Sequence, residues 1–266
     1  MACPLKYVPT AKPNDTAFVF SPSQFSSFIG KPWEWYRNNV QNLDKFEGNT
    51  ASVLGTVVHY CAEQVANKKY IDHDMIEMFV RFQELEDYDP DVVMDCYYEM
   101  AEVLCRQFVL KADTFLVEGT AMAEIKDNYF VGGTADLVEG TSKDDCILTD
   151  YKTYSSTRKP TAIPSYYKHQ LLCYAYALKK MGYNVTRVRL VYVNRPIVGK
   201  ISEKTGKQLK SYPSEVTVLT EALVEEDLAF IESMLELAID SLEAAKKYPE
   251  LTHVIFHDPR IKGEQG

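Results

Sequence analysis

Two aspartates and a lysine are spaced so that the carboxylates could bind a divalent metal ion beside the ammonium group. Asp136 lies in the β-forming run 129–138, and Asp150 and Lys152 close the next such run, which starts at Cys146. Side chains alternate along a strand, so Asp150 and Lys152 project from one face, and Asp136 on the neighbouring strand can converge there. Grouping these charges beside an apolar sheet is costly unless a divalent cation binds between the carboxylates. The pattern predicts a metal site, while a solvated surface hairpin is the alternative that this stretch alone leaves open.

The elements that must position these residues are helices first, then three strands, a helix, two strands and a last helix. Helices are indicated by apolar residues at three- and four-residue spacing, and strands by alternation and β-branched residues. The predicted helices cover residues 21–29, 33–40, 48–70, 73–86, 90–112, 164–181 and 220–248. The predicted strands begin near Glu118 and cover 129–138, 146–151, 186–195 and 214–219, with a hairpin tip at 202–210. This order indicates an α/β fold in which a mixed sheet is flanked by helices.

The sequence contains no internal repeat and no long linker, so we predict a single domain over residues 1–266. Its predicted parts are an extended N-terminal arm (1–20), a helical portion (21–112), a sheet core (113–220) and a C-terminal helix (221–248). No apolar run reaches the roughly 20 residues that cross a bilayer, and the start lacks the apolar core of a signal peptide. We therefore expect a cytoplasmic protein without a membrane partner.

The charges are distributed unevenly along the sequence. The whole chain has a net charge of −9, yet residues 151–210 hold 13 Lys and Arg residues and one acid, Glu203. Such segregation is typical of a protein with one surface that faces phosphates, and binding to a polyanion would then depend strongly on salt. The alternative is chance clustering along a chain whose fold scatters the charges.

Five short motifs together resemble the RecB-type branch of the PD-(D/E)XK nuclease superfamily. The motifs are Ser21-Pro-Ser23, Gly55-x-x-x-His59, Gly132-x-x-x-Asp136, Asp150-Tyr151-Lys152-Thr153 and Gln170-x-x-x-Tyr174. Each motif alone would be weak, but they occur in the family's order over roughly residues 20–195 and are jointly specific. The resemblance implies a PD-(D/E)XK restriction-endonuclease-like core, with a mixed central β-sheet flanked by helices and an N-terminal helical portion.

The resemblance also implies how a metal ion would be held. The ligands would be His59, Asp136, Asp150 and the backbone carbonyl of Tyr151, and the ion would be Mg²⁺ or Mn²⁺. Imidazole suits softer cations than Mg²⁺, so Mn²⁺ would be a good activator, although a hydrogen-bonded core histidine is the alternative for His59. Lys152 would orient the attacking water and stabilise the charge that develops on the phosphate. Glu124, on the strand before Asp136, is a weaker candidate that could touch the metal shell through water.

Further residues are candidates for contacts with DNA. Gln170 and Tyr174 are four apart on a helix and share a face. The resemblance counts them with the catalytic residues, in a groove where they contact DNA or fix the geometry near the metal. A helix packed on the sheet with two polar tips at its rim is the alternative. The candidates for contacts with DNA are Thr153, Arg158, Lys159, Lys168, Gln170 and Tyr174.

Cysteine spacing argues against a metal–sulfur site. The six cysteines are scattered and include no C-x-x-C pair, which excludes the common zinc spacings and gives no support for a disulfide framework. Many RecB-like nucleases hold an iron–sulfur cluster through one cysteine before a proline and three more near the C-terminus. Here Lys31 precedes Pro32, and no cysteine follows Cys173. A cluster needs four thiolates, so we expect no iron–sulfur cluster.

The expected function is that of a divalent-metal-dependent DNA exonuclease that hydrolyses phosphodiester bonds in recombination, repair or phage DNA metabolism. Its substrate would be single-stranded or double-stranded DNA ends, and it would act alone or with a separately encoded recombination partner. A catalytically inactive DNA-binding or assembly subunit that retains the nuclease fold is the alternative, and an endonuclease is a variant within the enzyme class. Degenerate members usually lose the acids or the lysine first, so the presence of Asp136, Asp150 and Lys152 favours an enzyme.

Overall fold

The computed structural model describes residues 5, 12–43, 47–199, 206–208 and 210–260. Residues 1–4 and 6–11 of the predicted N-terminal arm, and residues 202–205 and 209 of the predicted hairpin tip, lie outside the described residues. Within the described part of the chain, no helix combines the length and the apolar character that a membrane span requires.

Helices dominate the first part of the chain and strands the middle. The helices are α1 (Pro22–Gly30), α2 (Pro32–Asn39), α3 (Thr50–Ala66), α4 (His73–Arg81), α5 (Pro90–Gln107), α6 (Ser165–Lys180), α7 (Glu225–Lys247) and α8 (Thr252–Ile255). The strands are β1 (Phe18–Phe20), β2 (Thr114–Lys126), β3 (Tyr129–Glu139), β4 (Cys146–Tyr154), β5 (Val185–Asn194) and β6 (Val216–Ala222). Short 3₁₀ turns at Val109–Lys111 and Pro249–Leu251 follow α5 and α7.

The strands form one mixed sheet organised around β3. β2 pairs antiparallel with β3 along most of its length. On its other edge, β3 pairs in parallel with β1 over residues 129–131 and antiparallel with β4 over residues 137–139. β4 continues in parallel with β5, and β5 pairs antiparallel with β6. The predicted mixed sheet flanked by helices is confirmed. Between the residues of β3 that pair with β1 and those that pair with β4, this edge of β3 has no strand partner among the described residues.

Helices cover both faces of this sheet with separate hydrophobic cores. One face packs against α1, α2, α6 and α7, with Phe25 and Leu172 among its fully buried side chains. The opposite face packs against α3, α4 and α5, where Val57 and Met100 are buried. Burying one such side chain stabilises a fold by about 1.5–3 kcal/mol, so both cores hold the sheet in place.

α3 and α6 both carry residues of the site, and the sequence of each helix explains its position in the fold. Asn49 caps α3, because its side chain accepts a hydrogen bond from the Ser52 N–H while the Ser52 hydroxyl accepts one from the Asn49 N–H. The middle of α6 is mostly apolar, and its residues from Gln170 to Leu178 are buried. A helix of this composition belongs in an interior, and α6 lies between the sheet and the helices α1 and α7.

The strand β1 is absent from the sequence prediction. Three residues are too few to show a periodicity, so nothing in Phe18–Phe20 alone indicates a strand. The strand exists because its backbone pairs with Tyr129–Val131 at the start of β3. This pairing brings the beginning of α1 close to the sheet.

The boundary between the sheet core and the C-terminal helix also differs from the prediction. The sheet core was predicted to end at residue 220, but β6 continues to Ala222 because it stays paired with β5. The last long helix begins at Glu225, where the Asp227 carboxylate accepts a hydrogen bond from the Val224 N–H.

Candidate metal centre and active-site pocket

β3 and β4 separate at the point where a side chain of β3 accepts a hydrogen bond from the backbone of β4. Their pairing ends at Leu137↔Thr149. Beyond that pair, the Tyr151 backbone N–H donates to Asp136 Oδ2 over 2.7 Å. The carboxylate therefore replaces the main-chain acceptor that a continuing strand would have offered. Asp136 is thereby fixed in the opening between the two strands.

α3 brings His59 to the same carboxylate. His59 Nδ1 lies 3.3 Å from Asp136 Oδ1. Burial alone would lower the pKa of His59, but the adjacent Asp136 carboxylate raises it to about 9. Burial would likewise raise the pKa of Asp136, but the imidazolium beside it lowers that pKa. In the metal-free protein, these two side chains form an ion pair.

A third side chain of this cluster comes from β2, and the sequence patterns did not single it out. Glu118 lies opposite Asp136 in the register of β2 with β3. Its φ of 45° is in the left-handed region, which costs a non-glycine residue roughly 1–3 kcal/mol. One ligand atom each from His59, Glu118 and Asp136 lies within 4.8 Å of the other two. We call these three residues the ligand cluster.

The ligand cluster fits a divalent cation. Burial raises the pKa of Glu118 to about 8, and repulsion by the Asp136 carboxylate adds to the rise although His59 opposes it. Two carboxylates this close repel each other unless a positive charge lies between them. Carboxylate oxygens suit Mg²⁺ and Mn²⁺, and an imidazole favours the softer Mn²⁺, so the donor set on these three residues fits a divalent ion of the kind that the sequence predicts.

Glu124, which the sequence placed near the metal, lies at the turn end of the same hairpin. Its Oε1 accepts a hydrogen bond from the Asn128 N–H over 3.1 Å. In the antiparallel register Glu124 pairs with Phe130, far from Asp136, whereas the pairs Val117↔Leu137 and Gly119↔Ala135 leave Glu118 opposite Asp136. Counting back from the turn at 127–128 without the one-residue shift beside Glu124 would place Gly119 there, and that shift is invisible in the alternation of the sequence.

Asp150 and Lys152 project from one face of β4, as predicted, and that face is covered by α6. Lys152 Nζ lies 2.6 Å from Asp150 Oδ2, and Gln170 Nε2 donates to Asp150 Oδ1 over 3.2 Å. Burial raises the pKa of Asp150, although Lys152 opposes the rise. Burial would lower the pKa of Lys152, but Asp150 and Asp136 together raise it. Lys152 is therefore a charged ammonium group held by a buried carboxylate.

Asp136 and Asp150 interact electrostatically, but they do not share ligand positions in the metal-free protein. Both carboxylates raise the pKa of Lys152 and of His59. Among the described residues, however, Asp150 is not part of the ligand cluster, since its oxygens contact Lys152 and Gln170.

The ligand cluster and Lys152 line one cavity of about 680 Å³. Its walls come from α3, β2, β3, β4 and the start of α6, and they include Ser52, Gly55, Thr56, His59, Glu63, Glu118, Thr134, Asp136, Tyr151, Lys152, Thr153 and Tyr167. A phosphate group in this cavity can approach the ligand cluster and the ammonium group together. We call it the active-site cavity.

Gln170 and Tyr174 share a face of α6, as predicted, but both are buried and neither lines the active-site cavity. Gln170 holds Asp150 by the hydrogen bond described above. The Tyr174 hydroxyl approaches β3 so closely that a Cβ added at Gly133 would lie 3.1 Å from it. Gln170 therefore contacts β4 and Tyr174 approaches β3, away from the lining of the active-site cavity.

The residues predicted to contact phosphates differ in their surroundings. Thr153 lines the active-site cavity, and Arg158 is exposed. Lys168 Nζ lies 3.4 Å from the Glu221 carboxylate on β6 and 3.3 Å from the Asp227 carboxylate on α7. Lys159 forms an ion pair with Glu215. Both lysines would have to leave these acids in order to bind a phosphate.

Acids neutralise many of the described cations of the basic segment 151–210. Seven of them lie within 3.9 Å of an acid, and they are Lys152, Lys159, Lys168, Lys179, Lys180, Arg187 and Arg189. The partners come from β3, β4, β6 and α7 and from the loops beside them. The net charge of the segment along the sequence therefore overstates the positive charge that its described residues present.

Comparison with known proteins relates this chain to nucleases. A family model described as the PD-(D/E)XK nuclease superfamily matches residues 19–249. The fold is similar to that of a candidate exonuclease from Eubacterium rectale, with a TM-score of 0.50 and 11% identity over 88% of this chain and 80% of that chain.

Two other solved structures align with lower scores. SSO0001 gives a TM-score of 0.37 at 14% identity, over 86% of this chain and 77% of that chain. LHK-Exo in complex with dAMP gives 0.36 at 14% identity, over 77% of this chain and 96% of that chain. A search of the curated proteins found no significant match.

Proposed function

This chain belongs to the PD-(D/E)XK nuclease superfamily, and we propose that it is a divalent-metal-dependent DNA exonuclease. The observation that carries the proposal is the active-site cavity, where the ligand cluster lies beside the Lys152 ammonium group. The family supports nuclease activity in general. We propose two further points. The protein hydrolyses DNA from single-stranded or double-stranded ends, and it acts in recombination, repair or phage DNA metabolism.

The proposed metal ion is Mg²⁺ or Mn²⁺, held by His59, Glu118 and Asp136. Asp150 and the backbone carbonyl of Tyr151 are the further ligands that the sequence suggests. Such an ion supplies a Lewis acid that polarises a phosphoryl oxygen and makes bound water more acidic. The protein prepares the site for it by holding the pKa of Asp136 low, so that this carboxylate is ionised at neutral pH. His59 must lose its proton before its nitrogen can bind a metal.

Lys152 is proposed to orient the attacking water and to stabilise the charge that develops on the phosphate. The raised pKa keeps its ammonium group charged, and this group borders the active-site cavity. A charged ammonium donates hydrogen bonds to water and to phosphate oxygens but cannot accept a proton. The proton of the attacking water must therefore pass to another group as the new P–O bond forms and the bond to the leaving oxygen breaks.

Asp150 is proposed to be the mobile member of the site. Its Oδ2 contacts Lys152 and its Oδ1 accepts the hydrogen bond from Gln170. Under this proposal, Asp150 would exchange its contact with Lys152 for one with the metal ion. Gln170 can meanwhile keep the carboxylate oriented, which gives this buried residue a role in the site without contact to DNA.

DNA contacts are proposed to involve Thr153 and Arg158 more readily than Lys159 and Lys168. The first two are already at the active-site cavity or exposed. The two lysines are held by acids and would exchange one ion pair for another, which adds little to affinity.

We also propose that residues 1–266 form one domain. Both hydrophobic cores pack on faces of the same sheet, so neither half of the chain would keep its core alone. A single cooperative unfolding transition in urea would support this organisation.

Digestion of end-labelled DNA tests the proposed activity. Linear single-stranded DNA, linear double-stranded DNA and closed circular DNA are incubated with the protein in Mg²⁺, Mn²⁺ or a chelator. We expect metal-dependent release of short products from linear DNA and none from circles. Lys152→Ala should lower the rate at least about 10²-fold. Lys143→Ala, in the turn between β3 and β4, should cleave as the wild type does.

Each other outcome has a distinct meaning. Cleavage of closed circles would make the protein an endonuclease. If the wild type binds DNA but cleaves none of the substrates in either metal, the inactive DNA-binding subunit becomes the correct interpretation. Circular dichroism spectra of the lysine variants test whether any loss of activity comes from unfolding.

A further inference from the structure

One face of α6 holds both members of the Asp150–Lys152 pair. Gln170 Nε2 donates to Asp150 Oδ1 over 3.2 Å. One turn earlier, the ring centroid of Tyr167 lies 5.1 Å from Lys152 Nζ. We propose that Tyr167 is a positioning residue that keeps the Lys152 ammonium group at the wall of the active-site cavity during the reaction. This role rests on the proposed nuclease function.

The contact between Tyr167 and Lys152 is a cation–π interaction. An ammonium group within about 6 Å of a ring centroid is attracted by the negative face of the ring. The Lys152 side chain is 19% exposed and the Tyr167 ring is half-buried, so water competes less for this contact than it would on an open surface. The ring therefore gives the ammonium group a second attractive contact beside Asp150.

A second tyrosine holds the ring of Tyr167 in place. Tyr192 is the cross-strand partner of Lys152 on β5 and is buried. Its ring meets that of Tyr167 at 6.3 Å and 70°, and that of Tyr154 at 5.8 Å and 87°. Edge-to-face contacts of this kind restrict rotation of the rings. The surface that receives the ammonium group is therefore formed before substrate binds.

Lys152 needs a second contact because Asp150 does not remain its partner under the proposed mechanism. If Asp150 turned to a metal ion, its ion pair with Lys152 at 2.6 Å would open and the long side chain of Lys152 would gain rotational freedom. An aromatic face attracts the ammonium group without accepting a conventional hydrogen bond from it. The N–H donors of Lys152 stay available for the water and the phosphate.

Substitutions of Tyr167 test this role through kinetics. Tyr167→Leu removes the aromatic face and should lower kcat about tenfold with little change in KM or in Mn²⁺ affinity. Tyr167→Phe keeps the face and should retain kcat within about twofold. The matched control is Tyr248→Leu, because Tyr248 lies at the same 5.1 Å from Lys247 at the end of α7, and its loss should leave kcat unchanged.

A tyrosine beside this cavity could instead stack on a base of the substrate. DNA whose terminal nucleotides are abasic separates the two roles. Positioning of Lys152 predicts that Tyr167→Leu loses the same factor in kcat on abasic and on normal ends. A loss confined to ends that carry bases, and expressed mainly in KM, would overturn the proposal.

NMR of the metal-free protein gives a readout that does not depend on activity. The Lys152 Cε protons should resonate further upfield in the wild type and in Tyr167→Phe than in Tyr167→Leu, because the ring current is then lost. An unchanged Lys152 resonance in Tyr167→Leu would overturn the proposal. Full kcat for Tyr167→Leu, when Lys152→Ala is inactive, would overturn the role of Tyr167 alone. Equal cleavage by wild type and Lys152→Ala would overturn the roles of both residues, and only a wild type that cleaves no DNA would overturn the proposed function.

Discussion

Asp136 and Tyr151 are joined across the opening between β3 and β4 by a hydrogen bond of 2.7 Å from the Tyr151 backbone N–H to Asp136 Oδ2. The other oxygen of the same carboxylate lies 3.3 Å from His59 Nδ1. One side chain thus ends the strand pairing and orients the imidazole of the ligand cluster. Its loss should affect the stability of the protein as well as its chemistry.

We predict that Asp136→Ala lowers the free energy of unfolding of the metal-free protein by about 2–4 kcal/mol. The substitution leaves the Tyr151 N–H without its acceptor and removes the ion pair between Asp136 and His59. Asp136→Asn keeps an oxygen for the N–H and should cost less. Urea unfolding at neutral pH measures both values. Equal stability of Asp136→Ala and wild type would show that this hydrogen bond and ion pair do not hold the two strands.

Metal affinity should depend on Glu118 and not on Glu124. Glu118→Gln removes a charged ligand from the ligand cluster, so we expect the Mn²⁺ dissociation constant to rise about tenfold or more. Glu124→Gln should leave it unchanged, because Glu124 lies at the hairpin turn. Calorimetric titration of the DNA-free protein compares the two variants directly. The opposite ranking would mean that the register of β2 with β3 does not decide the ligand.

Metal binding should become tighter as the pH rises. A metal ion needs His59 neutral and Glu118 ionised, whereas their pKa values in the metal-free protein are raised to about 9 and about 8. Protons therefore compete with the metal below these values, and affinity should climb steeply to about pH 8 and level off above about pH 9. Asp136 contributes little to this slope near neutral pH, because its pKa is lowered.

Calorimetry with Mg²⁺ at several pH values, in two buffers of different ionisation heat, measures both the affinity and the protons released. Glu118→Gln should release about one proton fewer than the wild type near pH 7. An affinity that stays flat, or that falls with rising pH, would contradict the protonation states assigned to the ligand cluster.

Local patterns in the sequence predicted the parts of the site that depend on local geometry. The alternation of a strand placed Asp150 and Lys152 on one face of β4, and helical spacing placed Gln170 and Tyr174 on one face of α6. The mixed sheet and the superfamily were predicted as well and are confirmed.

Long-range geometry could not be predicted in the same way. Glu118 reaches the ligand cluster through a register shift and a left-handed backbone conformation, and neither leaves a mark in residue type. The ion pairs of the basic segment depend on acids far away in the sequence, such as Glu215 for Lys159. The burial of Gln170 and Tyr174 follows from the packing of α1 and α7 around α6, which spacing within α6 does not reveal.

Gly132 should tolerate no side chain, since β2 and β3 approach closely just before Asp136. A Cβ added at Gly132 would lie 2.6 Å from the Ala121 carbonyl oxygen, so the backbones would have to move apart. We expect Gly132→Ala to destabilise the protein by about 2–3 kcal/mol and to weaken Mn²⁺ binding, because Glu118 and Asp136 stand on these two strands.

Gly30 provides the matched control for this substitution. A Cβ there would meet nothing within 4 Å, and Gly30 ends α1 away from the two strands. Gly30→Ala should therefore leave stability unchanged or raise it by up to about 1 kcal/mol, with Mn²⁺ affinity as in the wild type. Thermal unfolding and calorimetric titration of both variants measure the difference. If Gly132→Ala had the same stability and the same Mn²⁺ affinity as Gly30→Ala, the close approach of β2 to β3 would not determine the spacing of the Glu118 and Asp136 carboxylates.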